Sequence, residues 1–282
     1  MTVEPTVVVL PAFEALSAAP IDGEVGPWEA AYDFTHQYTI KGVPAPFRYD
    51  PRGVGIVPTG VGKVAATATT TALCASEKLS LENSLILSVG IAGAPPRVPI
   101  GSVVVADSIV DWDDKCRFDP TESNATPVEL DPYTGDQGVF DLDADHVSWA
   151  QSLSEDAQLA GVSGKPEPTV AVGTNVCADE LWHGQAVAEH VTQFVRQRQR
   201  DPYLITEMED SGTVAALDRF GLTEQYLSIR GVSNHDRPEP GESARESLLH
   251  TDSGASDTTA YTVGLENAVS VASTLVANEI MD

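Results

Sequence analysis

The sequence predicts an α/β fold, a largely parallel sheet covered on both faces by helices, and three features predict it. Short runs rich in β-branched residues are apolar throughout instead of alternating, as strands buried on both faces require. These runs alternate with longer segments of helical length. Several runs end in glycine-containing turns, where a backbone can come close to a ligand.

Taken in order, TVVVL (6–10) reads as a buried strand, FTHQYTI (34–40) as a half-exposed one, and GVGIVPTG (53–60) as a strand ending in glycine. VGKVAATATTTALCASEKL (61–79) has the small residues of a helix packed tightly on a sheet. SLILSVGIAGA (84–94) is an apolar strand running into a glycine turn, and GSVVVADSIV (101–110) is the next strand. From 111 to 146 periodicity fades into acidic residues, prolines and glycines. This reads as an irregular excursion, since long structureless loops are uncommon inside compact domains. Regular structure resumes with PTVAVGT (168–174), a helix over 179–200 and YLITEMED (203–210), a strand turning into a helix. QYLSIRGVS (225–233) is a further strand, and a helix over 257–280 closes the chain. No internal repeat is visible, and residues 1–282 read as one domain.

Charge narrows the function. Against 42 acidic residues stand 16 basic ones, a formal net charge of −26. Nucleic-acid binding by counterion release needs clustered Lys and Arg, so a nucleic-acid partner is not expected. An acidic surface almost free of lysine suits a salt-rich cytoplasm, where screening removes self-repulsion. Cys74, Cys116 and Cys177 are odd in number, widely spaced and without a CxxC pair, which argues for a reducing compartment and against a structural zinc. The N-terminus lacks a signal core and no stretch of 18 apolar residues occurs, so the expectation is a cytoplasmic protein with no membrane partner.

Chemistry should sit beyond the carboxyl ends of the strands. Strand 6–10 delivers Phe13 and Glu14, and strand 53–58 delivers Thr59, Gly60 and Gly62 with Lys63 on the first helical turn. Strand 84–89 delivers Gly90 to Gly93 and strand 203–207 delivers Met208 and Glu209. The strand at 225–232 feeds VSNHDRPEPG. There Ser233, Asn234, His235, Asp236 and Arg237 follow one another before two prolines and a glycine stop the chain.

The order TGVG, SVGIAGA, IGSVVVAD, EMED and VSNHDRPEPG resembles the nucleoside phosphorylase-I superfamily and, within it, the purine nucleoside permease family. The likeness covers most of the chain and implies a doubly wound, three-layer α/β/α fold with a mixed, mostly parallel sheet, together with a nucleoside ligand. It further implies that Glu209 accepts hydrogen bonds from the ribose hydroxyls over an apolar floor at Met208, and that Asn234 reads the purine edge. Asp236, alone or through His235, would supply a proton or hydrogen bond as the glycosidic bond breaks. Phe13 and Trp182 are candidate stacking surfaces, Gly93 and Ser233 complete the substrate site, and His183 is a further possible proton carrier. Relatives form symmetric oligomers in which a neighbour closes the sugar pocket, so a homo-oligomer is expected.

The leading expectation is therefore a purine-preferring nucleoside phosphorylase with no bound cofactor or metal and inorganic phosphate as co-substrate. Thr59, Gly60, Lys63 and Arg237 would be the phosphate ligands, with Arg48 or Arg230 assisting. Two departures keep alternatives open. The arginines that many phosphorylases carry in the first loop and before the central glycines are absent from LPAFEA and SVGIAG. The glutamate of the nucleosidase branch has only Glu14 near its place, about two positions early. A nucleoside hydrolase using water in the same pocket is the alternative, and a non-catalytic nucleoside-binding protein is the third reading.

The surface charge yields a direct test. The unfolding midpoint should rise substantially between low and molar KCl as like-charge repulsion is screened. A flat melting temperature over that range would contradict salt adaptation.

Overall fold

The computed structural model describes residues 2–14, 23–119, 128–135, 137–249 and 259–281. Twelve strands are defined among them: β1 (Val7–Leu10), β2 (His36–Tyr38), β3 (Phe47–Asp50), β4 (Val54–Ile56), β5 (Leu85–Ala94), β6 (Val103–Asp111), β7 (Lys115–Arg117), β8 (Val128–Leu130), β9 (Val139–Asp141), β10 (Val170–Cys177), β11 (Tyr203–Glu207) and β12 (Tyr226–His235). The helices are α1 (Gly26–Ala31), α2 (Lys63–Cys74), α3 (Ala144–Ser154), α4 (Gln185–Gln197), α5 (Asp210–Arg219), α6 (Ala244–Leu249) and α7 (Thr259–Glu279).

The architecture is three-layer α/β/α around a mixed sheet ordered β11-β10-β6-β12-β5-β1-β4-β3-β2, with β9 pairing against β6. Its central strands are the apolar runs. β1 lies parallel between β4 and β5, and β5 lies parallel to β12, so each is buried on both faces and needs no polar alternation. Helix α7 packs on β12 at closest range where Gly231 meets Gly264. A Cβ on Gly231 would stand 1.8 Å from the Gly264 carbonyl oxygen, so only glycine permits this approach.

The sheet is not fully open. β11 pairs in parallel with β10 and, through Thr206 and Gly93, antiparallel with β5. Five strands thereby close on themselves, and this closure carries the end of β11 to the ends of β5 and β12.

Several elements differ from the sequence reading. β5 continues through Ala94, because the glycines of GIAGA pair with β12 instead of turning. β12 likewise runs to His235, with an irregularity at Ser233, so the first part of SNHDRPEPG is strand and not turn. The 111–146 stretch contributes β7, β8, β9 and the start of α3, while residues 120–127 and 136 fall outside the described ones. The start of the closing helix at 257–258 also falls outside them. Among the described residues no helix is long and apolar enough to cross a membrane.

Candidate active site

The strand ends converge on one pocket. Of the residues expected there, Phe13, Gly93, Trp182, Met208, Glu209, Asn234 and Asp236 line it. Thr59, Gly60, Lys63, Ser233, His235 and Arg237 do not. Three further acids do line it: Glu24, Glu180 and Glu207.

Glu24 is the residue the sequence reading missed. It lies 11 positions beyond Phe13, yet the chain returns so that the Glu24 N–H donates to the Phe13 carbonyl at 3.0 Å. Its side chain is buried, and its two oxygens accept backbone N–H groups from Ala12 at 2.6 Å and Ile91 at 2.9 Å. Gly90 makes room for it, since a Cβ there would lie 2.3 Å from Glu24 Oε1. Glu14 instead pairs with Arg48 at 2.7 Å, and Glu29 holds the same guanidinium. No motif flags Glu24, because a loop and not a strand end delivers it.

Glu209 sits just ahead of α5 and accepts the Gly62 N–H at 3.0 Å on Oε1. The glycine loop before α2 therefore already holds its anion, which is a carboxylate of the chain itself. Behind Glu209 lies Arg230, fully buried on β12. It contacts Asp210, stands 3.1 Å from Glu207 and 3.6 Å from Glu209, and donates to Ser88 Oγ at 2.7 Å. Glu207 also accepts the Glu209 and Asp210 N–H groups at 2.7 and 2.9 Å.

Four buried carboxyls thus share one cation, and their proton affinities follow. Burial, reinforced by the charge of Asp210, pushes Glu207 up to about 8, with Arg230 opposing. Burial raises Glu209 to about 7 against the pull of Arg230. Burial also raises Glu24, again opposed by Arg230. For Asp210 burial is outweighed by Arg230 and by hydroxyl donors, which hold it below the usual carboxylate range.

At the other end of the pocket Ser233 Oγ donates to Asn234 Oδ1 at 2.8 Å, and Asn234 Nδ2 donates to the His235 carbonyl at 2.9 Å. These bonds set which edge of the amide faces the ligand, leaving one donor and one acceptor position spare. Asp236 is buried and accepts from Tyr203 Oη at 2.5 Å and Arg237 Nε at 2.6 Å. His235 Nε2 lies 3.3 Å from the Val98 carbonyl, and burial lowers the pKa of both His183 and His235, so neither is set up as a cation at neutral pH.

The anion site expected for phosphate does not form. Lys63 Nζ is 2.9 Å from Asp111 and 3.0 Å from Asp113, and Arg237 is committed to Asp236. The Thr59 and Gly60 N–H groups donate to the Pro11 and Ala12 carbonyls. Arg48 and Arg230 are each bound by two or more carboxylates.

These elements superpose on several solved structures, which share the three-layer α/β/α fold. The chain superposes on 5′-methylthioadenosine/S-adenosylhomocysteine nucleosidase from Neisseria meningitidis, solved with methylthio-immucillin-A, at a TM-score of 0.66 and 15% identity. That match covers 96% of this chain and 98% of the other. Futalosine hydrolase of Helicobacter pylori matches at a TM-score of 0.64 and 16% identity, over 100% and 98% of the two chains. The nucleosidase of Colwellia psychrerythraea, in complex with adenine, matches at 0.63 and 19%, over 99% and 95%.

Residues 4–282 match the purine nucleoside permease (NUP) family, and the chain belongs to it. The purine nucleoside permease of Candida albicans is 24% identical over 300 residues, covering 92% of this chain and 72% of that protein.

These findings correct the expected activity. The matched structures are, by name, nucleosidases and a hydrolase, and every cation proposed to hold phosphate is already spent on the chain's own carboxylates. The phosphorylase reading and phosphate as co-substrate are withdrawn.

The raised Glu207 has a stability consequence. Its folded value of about 8 lies above the ordinary carboxylate range, so the folded protein binds a proton that the unfolded chain releases. That contribution is complete below the unfolded value and is lost as pH rises through the folded one. In molar KCl, raising pH from 5 to 9 should therefore lower the wild-type melting temperature more than that of Glu207→Gln. Parallel pH profiles would show that Glu207 is ionised throughout.

Proposed function

We propose that the protein is a nucleoside hydrolase, in which water cleaves the N-glycosidic bond to release free base and free sugar. The observation that carries this reading is Glu24. It is a buried carboxylate in the pocket, fixed by two backbone N–H groups and raised by burial above its ordinary value, and among the described residues no arginine or lysine is bonded to it. Each of its oxygens keeps a second lone pair for a water molecule. A carboxylate so placed can take a proton from water as the water attacks C1′, and a raised pKa makes that transfer more favourable near neutral pH.

The other lining residues fit a sugar that becomes cationic. Glu209 accepts from the ribose hydroxyls, and its charge sits beside the developing oxocarbenium ion. Phe13 and Met208 give an apolar surface, and Asn234 offers a donor and an acceptor to the base edge. Adenine and a methylthio-immucillin in the matched structures support a purine nucleoside as the ligand class.

Purified protein should release free sugar from a purine nucleoside in phosphate-free buffer. Glu24→Gln should lower kcat by ~10² to 10⁴-fold while leaving the melting temperature near that of wild type. A folded Glu24→Gln enzyme within threefold of wild type would remove Glu24 from the chemistry.

A further inference from the structure

Asp210 opens α5, is completely buried and does not line the pocket. Five side-chain donors converge on it. Ser88 Oγ at 2.7 Å, Tyr226 Oη at 2.9 Å and Arg230 reach Oδ1, while Asn175 Nδ2 at 2.8 Å and Ser228 Oγ reach Oδ2. Such a set stabilises an ionised carboxylate strongly. Among the described residues, by contrast, Glu207 Oε1 receives only Asn175 Nδ2 at 3.1 Å, and Glu209 Oε2 has only the Arg230 contact at 3.6 Å.

The titratable and charged groups packed on this cluster come from five places. They are Glu24 from the loop ahead of α1, Cys177 from β10, Glu207 from β11, Glu209 and Asp210 at the start of α5, and Tyr226 and Arg230 from β12. Lys63 on the neighbouring α2 is taken by Asp111 and Asp113. Four carboxyls therefore face a single cation, and full ionisation would leave three uncompensated charges in a buried volume, which is prohibitive.

We propose that Asp210 is a positioning residue for the hydrolysis: it claims Arg230 as its own ion-pair partner, so that the pocket wall of Glu207 and Glu209 holds a bound proton before substrate arrives. This rests on the hydrolase reading for its functional sense. The raised proton affinities of Glu207 and Glu209 and the lowered one of Asp210 agree with it. With a proton held there, the wall meets the neutral sugar as one oriented acceptor instead of as mutually repelling carboxylates.

Asp210→Asn tests the proposal. The change is nearly isosteric, and the buried Asn175 Oδ1, which has no hydrogen-bond partner, can turn to accept from the new amide. Loss of the Asp210 charge frees Arg230 for Glu207 and Glu209, so both ionise at lower pH. The basic limb of kcat/KM, where the held proton is lost, should move down by about one pH unit. The infrared band of a protonated carboxyl, expected in the wild-type protein at pH 7, should vanish in the variant. Ser228→Ala, which removes one donor to the ionised Asp210 and so raises the proton affinity of the cluster, should shift the band's midpoint the opposite way, to higher pH, by less.

A lower melting temperature with limb and band unmoved would reduce Asp210 to a structural residue and overturn the proposal. So would the absence of a protonated-carboxyl band above pH 6 in the wild type. The infrared readings need no turnover, so they decide the proton's place even if nucleoside hydrolysis itself is not observed.

Discussion

One guanidinium among four buried carboxyls is the constraint on which the site depends. Arg230 comes from the middle of β12, Glu207 from the end of β11, Asp210 from the first turn of α5, and Glu24 from a loop near β1. No two neighbouring elements could assemble this set. It exists because β11 pairs with both β10 and β5, bending the sheet until strand ends far apart in a flat sheet meet. Removing Arg230 would leave its carboxylates buried without a cation, a loss of about 3–5 kcal/mol in comparable cases. The cluster therefore ties the closure of the sheet to the chemistry of the pocket.

The same economy of cations accounts for what the pocket excludes. With few basic residues in the chain, those expected to meet phosphate are held by acids: Lys63 by Asp111 and Asp113, Arg237 by Asp236, Arg48 by Glu14 and Glu29. The glycine loop before α2, a natural anion cradle, closes on Glu209 instead. What remains facing the pocket is acidic at one end and amide-bearing at the other. That surface suits a neutral nucleoside which acquires positive charge on the way to cleavage.

Much of this was legible in the sequence, and the reasons differ residue by residue. β1, β5 and β6 announce themselves as unbroken apolar runs because they are buried on both faces, and α7 by its length and small residues. Phe13, Met208, Glu209 and Asn234 follow from lying at strand ends. Other features depend on tertiary closure and leave no local trace. β3 is a four-residue FRYD strand and α3 has little amphipathic pattern, so neither stands out. Glu24 reaches the pocket through a loop, and the pairing that uses up Lys63 joins residues 48 positions apart. Ser88 looked like a missing arginine in sequence. In space it is a hydroxyl bridging Arg230 and Asp210, with the positive charge supplied from β12 instead.

The central claim is that water, activated at Glu24, is the nucleophile. Carrying out the cleavage of a purine nucleoside in ¹⁸O-labelled water with phosphate present, and weighing the sugar by mass spectrometry, tests it most directly. The account predicts free sugar with one labelled oxygen at C1 in excess of the label acquired by exchange of authentic sugar under the same conditions. Unlabelled sugar 1-phosphate as the first product would contradict it.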